Sequence, residues 1–367
     1  MSRRNNQFYP AALLALLLSL LAGNAFAQHY TETDLTANRT GISSAANIDP
    51  NLVNPWGLSR SSGSPWWDSD NGAGLSTLYD LSGVPQSLVV TIPPPQGQNG
   101  TAAPTGTVYN YTTSFQAAPG APSIFLFVTE DGTISGWNPN VNQTNAVLLV
   151  DHNQQGAVYK GCALASLPSG PRLYVTNFAS GQVEVYDGKF HQLKTGPGDF
   201  TDSKLPIHYA PFGIQNVGGN IVVTFAQRSP GSLDENHGPG LGYVDVFDPS
   251  GNLLLRLQHG SYLNASWGIA EAPADFGVFS HRLLIGNFGD GKINAFNAVS
   301  GKFEGSLLNA DGSSISISGL WAISFAGGNT KSGAANALYF TAGLNDEADG
   351  LFGNIVPISA EQRGNTE

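Results

Sequence analysis

LYVTNFASGQVEVYD (173–187) and LLIGNFGDGKINAFN (283–297) spell one hairpin twice. In each, an apolar strand runs into Asn-Phe, a turn closes on a Gly four residues after the Asn, and an alternating strand follows. Apolar runs bounded by such turn residues read as paired β-strands. Asn177 and Asn287 stand 110 residues apart, so a recurring unit must divide that interval.

A second landmark fixes the unit. A short apolar strand with a Gly near its start occurs as PWGLS (55–59), PTGTV (104–108), KGCAL (160–164), PFGIQ (211–215) and SWGIA (266–270). LWAIS (320–324) is a sixth, with Ala322 in the Gly place. Steps between them are 49, 55, 52, 55 and 54 residues, and the interval between the asparagines is two steps. Each unit holds further strands, such as RLYVTNF (172–178), VEVYD (183–187) and, after PSG, NLLLRLQ (252–258). Four antiparallel strands in about fifty residues make one propeller blade, which buries both faces only against its neighbours. The fold class expected is therefore all-β: a six-bladed β-propeller with four antiparallel strands per blade. TETDLTA (31–37) precedes the first unit and is expected to join the last blade near GNIVPIS (353–359), closing the ring.

The rest of the composition agrees with one large β domain. The chain has 367 residues, 45 Gly and 22 Pro, and turns on this scale need both. Arg3 and Arg4, the apolar run AALLALLLSLLAG (11–23) and Ala25-Phe26-Ala27 have the order of a signal peptide cleaved near Ala27. That run is short for a membrane span. The expected division is a signal peptide at 1–27, the propeller at 28–360 and a flexible tail at 361–367. The expected destination is the periplasm or the medium, as a monomer without a membrane span. Cys162 is the single cysteine, so no internal disulfide exists and a small buried thiol is expected. A formal charge of −11 speaks against nucleic acid as a partner.

Strand parity points to a site. The Gly-bearing strand is innermost, and the second strand returns to the face where the first begins. Loops between second and third strands therefore gather at one mouth of the ring. Asp70, Glu130, Asn177 and Asn287 align there, with Phe225 and Ala342 completing the six. Four oxygen-bearing side chains suit a hard cation, Ca²⁺ or another divalent metal. The same residues also start tight turns by bonding their own backbone. A second ring precedes each inner Gly: Trp56, Thr105, Lys160, Phe212, Trp267 and Trp321. Aromatic faces with Lys160 as a polar handle suit a ligand; the same rings also serve to plug the channel. Two acid-rich loops overlook this mouth, RSPGSLDENHGPGLG (228–242), with Asp234, Glu235 and His237, and LNDEADG (344–350). DSDNG (68–72) has the opening acids of a calcium loop without the later bidentate Glu.

NPWGLS (54–59), LYVTNFASGQVEVYD and GPGLGYVDVFDPSGNLL (238–254) resemble a family of uncharacterised exported bacterial six-bladed propeller proteins, over residues 30–357. More distantly the blades resemble NHL- and YVTN-type propellers and the gluconolactonase/regucalcin group of hydrolases. The nearer resemblance implies fold and export but no activity. The lactonase group carries Asn or Asp where this chain has its aromatics, and an acid where it has LVNPWG (52–57). Three functions stay open. The first is binding of a small molecule, carbohydrate or protein at the channel face, without catalysis. The second is metal-dependent lactone or ester hydrolysis, and the third a structural role at a cell surface or in a matrix. No G-x-S-x-G elbow or H-E-x-x-H motif occurs.

Overall fold

The computed structural model describes residues 28–361; the leader read at 1–27 and residues 362–367 lie outside them. Among the described residues the chain is strand and turn, with three short 3₁₀ turns and no helix long and apolar enough to cross a membrane. Six antiparallel sheets follow one another around an axis. Their inner strands are Pro55–Ser59, Pro104–Tyr109, Tyr159–Leu167, Tyr209–Val217, Ser266–Glu271 and Leu320–Phe325, and they carry the six landmarks in order. Blade 1 departs most from the pattern. Its third strand is split into Leu75–Ser76 and Leu78–Tyr79, and its outer strand is only Val90–Thr91.

The glycines recur because inner strands of successive blades nearly touch. A Cβ on Gly57 would lie 2.4 Å from the Thr105 carbonyl oxygen, and one on Gly106 2.6 Å from the Cys162 nitrogen. On Gly213 it would lie 2.1 Å from the Trp267 oxygen, and on Gly268 2.7 Å from the Trp321 oxygen. Each is the backbone of the next blade, so a side chain there would drive the blades apart. Threonine hydroxyls stitch the same seams. Thr105 donates to the Tyr159 carbonyl at 2.8 Å, Thr176 to Phe212 at 2.7 Å and Thr341 to Trp56 at 2.7 Å.

The core is correspondingly divided. Six apolar clusters lie one per blade interface, and a seventh sits on the axis. Trp66 and Trp67 show why each strand needs two neighbours. Trp66 packs toward blade 6 with Tyr339, and Trp67 toward blade 2 with Phe125. Burying one such side chain contributes about 1.5–3 kcal/mol, so every interface is held by several.

Closure is by the N-terminal strand. His29–Ala37 pairs antiparallel with Asp349–Pro357, from Tyr30 opposite Pro357 to Ala37 opposite Leu351. Blade 6 thereby gains its outer strand from the start of the chain. Glu361, assigned by sequence to the flexible tail, instead accepts the His29 backbone N–H at 2.7 Å and helps pin that strand.

Candidate functional site

All six inner strands carry a register irregularity at the landmark. Such bulges re-aim side chains, and here Trp56, Lys160, Phe212, Trp267 and Trp321 turn toward the axis, while Thr105 bonds across its blade seam. Trp56 and Trp321 stack with centroids 3.5 Å apart, and Phe288 stacks on the other side of Trp321 at 4.3 Å. Phe212 and Trp267 meet Trp56 edge-on at 6.5 and 6.3 Å. Trp267 donates its indole N–H across the axis to the Lys160 carbonyl at 2.9 Å. Trp56, Phe212 and Trp321 are buried, so these rings plug the channel. The Asn-Phe of the opening hairpins contributes too, since Phe178 and Phe288 both join the plug.

Lys160 is the exception among these residues. Its ammonium rises beside the plug, 5.1 Å from the Trp56 ring and 5.5 Å from Phe178, and its side chain is only 1% exposed. Glu130 accepts from it at 2.6 Å, with Asp234 and Glu235 each at 3.7 Å. Burial alone would pull the lysine pKa down, yet these carboxylates hold it above its ordinary value. Burial pushes the Glu235 carboxyl up, and Lys160 only partly offsets that.

The polar layer continues around the mouth. Asn71 donates to Glu130 at 2.9 Å. Asn54 accepts the Trp321 indole N–H at 3.0 Å and donates to Glu347 at 2.6 Å. Burial, then the nearby Glu235 and Glu130 charges, push the Glu347 carboxyl up to about 7 against the Asn54 hydrogen bond. Glu347 sits in a turn with an unusual backbone: Asn345, Asp346 and Glu347 all have left-handed φ, at 54°, 52° and 66°. For side chains other than glycine that conformation costs about 1–2 kcal/mol per residue. Beside this turn lies a cleft of about 330 Å³, lined by His237, Phe288, Asp290, Asp346 and Glu347.

The four oxygen-bearing residues aligned by sequence are not brought together in one ring. Asp70 is buried within blade 1 and accepts from the Thr77 hydroxyl at 2.8 Å. Asn177 donates to Glu184 at 2.7 Å and caps its own turn by accepting from the Ser180 N–H at 3.2 Å. Asn287 accepts from the Ser266 hydroxyl at 2.7 Å and donates to the Tyr262 carbonyl at 2.8 Å. Only Glu130 of the four reaches the Lys160 cluster. The residue paired with Pro104 is Thr129, as Asp70 pairs with Pro55 and Asn177 with Tyr159. Glu130 is thus one residue beyond the aligned position, and that shift frees it for the rim. Among the described residues, no three Asp, Glu, His or Cys side chains form a metal cage. Sequence reasoning missed Asn54, Asn71 and Glu347; the acid-rich 344–350 loop was the available signal for the last.

This architecture defines a six-bladed β-propeller with an aromatic plug beneath an acidic mouth. No family model matches the chain. It is 32% identical over 330 residues to the uncharacterised protein R648 of Acanthamoeba polyphaga mimivirus, covering 88% of this chain and 78% of the relative. Protein L690 of the same virus is 30% identical, covering 88% and 84%. The chain belongs to the family of these proteins. They are viral, so they lend the expected bacterial and exported character no support. Among solved structures, a glucose dehydrogenase covers 90% of this chain and all of its own at a TM-score of 0.54 and 12% identity. A streptogramin B lyase covers 90% and 98% at 0.50 and 11%. At such identity the likeness shows the fold alone.

Proposed function

We propose that the protein binds a small organic cation, an amine or guanidinium, in the cleft at its acidic mouth, and that binding rather than catalysis is its task. The observation that carries this reading is the charge balance over the plug. Glu130, Asp234 and Glu235 surround the ammonium of Lys160, and Glu347 and Asp346 line the cleft beside them with Asp290, whose carboxylate is paired with Lys292 at 3.5 Å. An incoming cation would meet surplus carboxylate above the face of Phe288, which combines ion pairing with cation–π attraction. The left-handed turn at Asn345–Glu347 supports it, since strain of this kind collects where a segment is held for a purpose. The engagement of Asn177 and Asn287 in turns, and the burial of Asp70 within blade 1 away from the mouth, speak for binding over metal-dependent lactone hydrolysis. The leader pattern at 11–23 supports action outside the cytoplasm.

Calorimetric titration with diamines, guanidinium compounds and neutral sugars tests the reading. Amines should bind, more weakly as salt rises, and Glu347→Gln with Asp346→Asn should weaken them about tenfold or more, since both carboxylates of that turn are removed. Binding of sugars alone, or of none of these compounds, would overturn it.

A further inference from the structure

Blade 1 hides a second acidic group, away from the mouth cluster. Trp66, Asp68 and Asp70 alternate along one strand, so their side chains share a face. Trp66 packs with Tyr339 and Tyr79 with Phe352, which makes that face the seam between blades 1 and 6. Asp68 and Asp70 are each 0% exposed. Both Asp68 carboxylate oxygens and one of Asp70 have no hydrogen-bond donor. Asp49 stands nearby but is engaged, accepting from the Tyr79 hydroxyl at 2.9 Å and the Asn51 N–H at 3.0 Å.

An acidic grouping alone asks for no cation, but three fully buried, unpartnered carboxylate oxygens do. An ionised carboxylate taken from water is strongly disfavoured unless a positive charge or donors replace the water. No Lys or Arg forms an ion pair with either residue among the described residues.

We infer that Asp68 and Asp70 hold a Ca²⁺ ion buried on the blade 1 side of the seam between blades 1 and 6. The donors are hard carboxylate oxygens, which favours Ca²⁺ or Mg²⁺ over softer metals. The site is closed to solvent, which disfavours Mg²⁺, since that ion keeps several waters. Two carboxylates neutralise a divalent ion. The ion sits against the seam between the first and last blades, with both of its named ligands supplied by one strand of blade 1. This site is independent of the proposed cation-binding mouth.

The test is refolding of the full chain from denaturant in Ca²⁺, in Mg²⁺ or in chelator. Metal per chain is measured after gel filtration, and melting by calorimetry. Wild type refolded in Ca²⁺ should retain stoichiometric metal and melt roughly 5–10 °C above the chelator sample. The Asp68→Asn/Asp70→Asn variant should lose both metal and shift, yet melt in chelator no lower than wild type, because its amides bury no charge. If that variant does not fold, Tb³⁺ replaces it as the probe. Luminescence sensitised by Trp66 and Tyr79 in refolded wild type, and competed by Ca²⁺, supports the site; its absence overturns it. Wild type without metal and with one melting point in all three conditions would also overturn it, leaving two protonated acids. So would Ca²⁺ retained by the double variant, which would place the ion elsewhere.

Discussion

Replacing Gly213 by alanine tests the reason the landmark glycine recurs. The new Cβ would lie 2.1 Å from the Trp267 carbonyl oxygen and 2.9 Å from its carbon. Ordinary contact begins near 3.4 Å, so blades 4 and 5 must separate by about 1.3 Å at their inner strands. No flexible side chain can yield, because the obstacle is backbone. Trp267 is itself fixed, its indole bonded to the Lys160 carbonyl. Overpacking costs about 1–3 kcal/mol where side chains can adjust, so about 3 kcal/mol is expected here. For a domain of this size that lowers the melting temperature by roughly 6 °C. Gly161→Ala, whose Cβ would be 3.2 Å from the Phe212 oxygen, should cost about 1 kcal/mol. Gly63→Ala, with nothing within 4 Å, should stay within about 0.5 kcal/mol of wild type. Calorimetry with urea unfolding at a common m-value reads all three. A Gly213→Ala protein melting within about 1 °C of wild type, or a Gly63→Ala protein equally damaged, would refute close blade approach as the cause.

Two further outcomes follow from the mouth. Lys160→Met leaves Glu130 and the nearly buried Glu235 without their cation and should cost about 3 kcal/mol by urea unfolding, part of it recovered on adding Glu235→Gln; a loss under about 0.5 kcal/mol would show that the ammonium is not needed there. The Glu347 carboxyl titrates near 7 in the folded protein against 4.5 for a free side chain, so the folded state binds the proton more tightly. Stability should therefore be undiminished by this group below pH 4.5 and fall as pH rises toward 7, by about 1 kcal/mol after allowing for solvent screening. Glu32, also raised to about 7, acts in the same direction, so the informative quantity is the difference between wild type and Glu347→Gln across that window, which should be flat if the assignment is wrong.

The sequence carried the ring well because close approach leaves a mark on composition. A Cβ is excluded where inner strands meet, so glycine recurs at nearly fixed steps, and each closing turn recruits Asn or Gly for its backbone shape. The aromatic plug was legible for a similar reason, since one strand position always faces the axis. Two features were not. The strand WWDSD is buried on both faces, so no apolar–polar alternation told which acids point inward, and Asp70 was read as a rim residue. In blade 2 the hydrogen-bond register, rather than the residue pattern, places Thr129 at the aligned position and Glu130 beyond it. The mouth cleft depends on three successive left-handed residues at 345–347, a conformation that no residue pattern announces.

The pairing of His29–Ala37 with Asp349–Pro357 bears on how the protein is made. Translation delivers the first strand more than three hundred residues before its partner. Until the last blade emerges from the ribosome, that strand presents unsatisfied backbone to any neighbour, and the sixth sheet lacks its margin. Contacts this distant in sequence form slowly. The interval between synthesis of the first strand and completion of the last is when this polypeptide is most exposed to mispairing with another copy of itself.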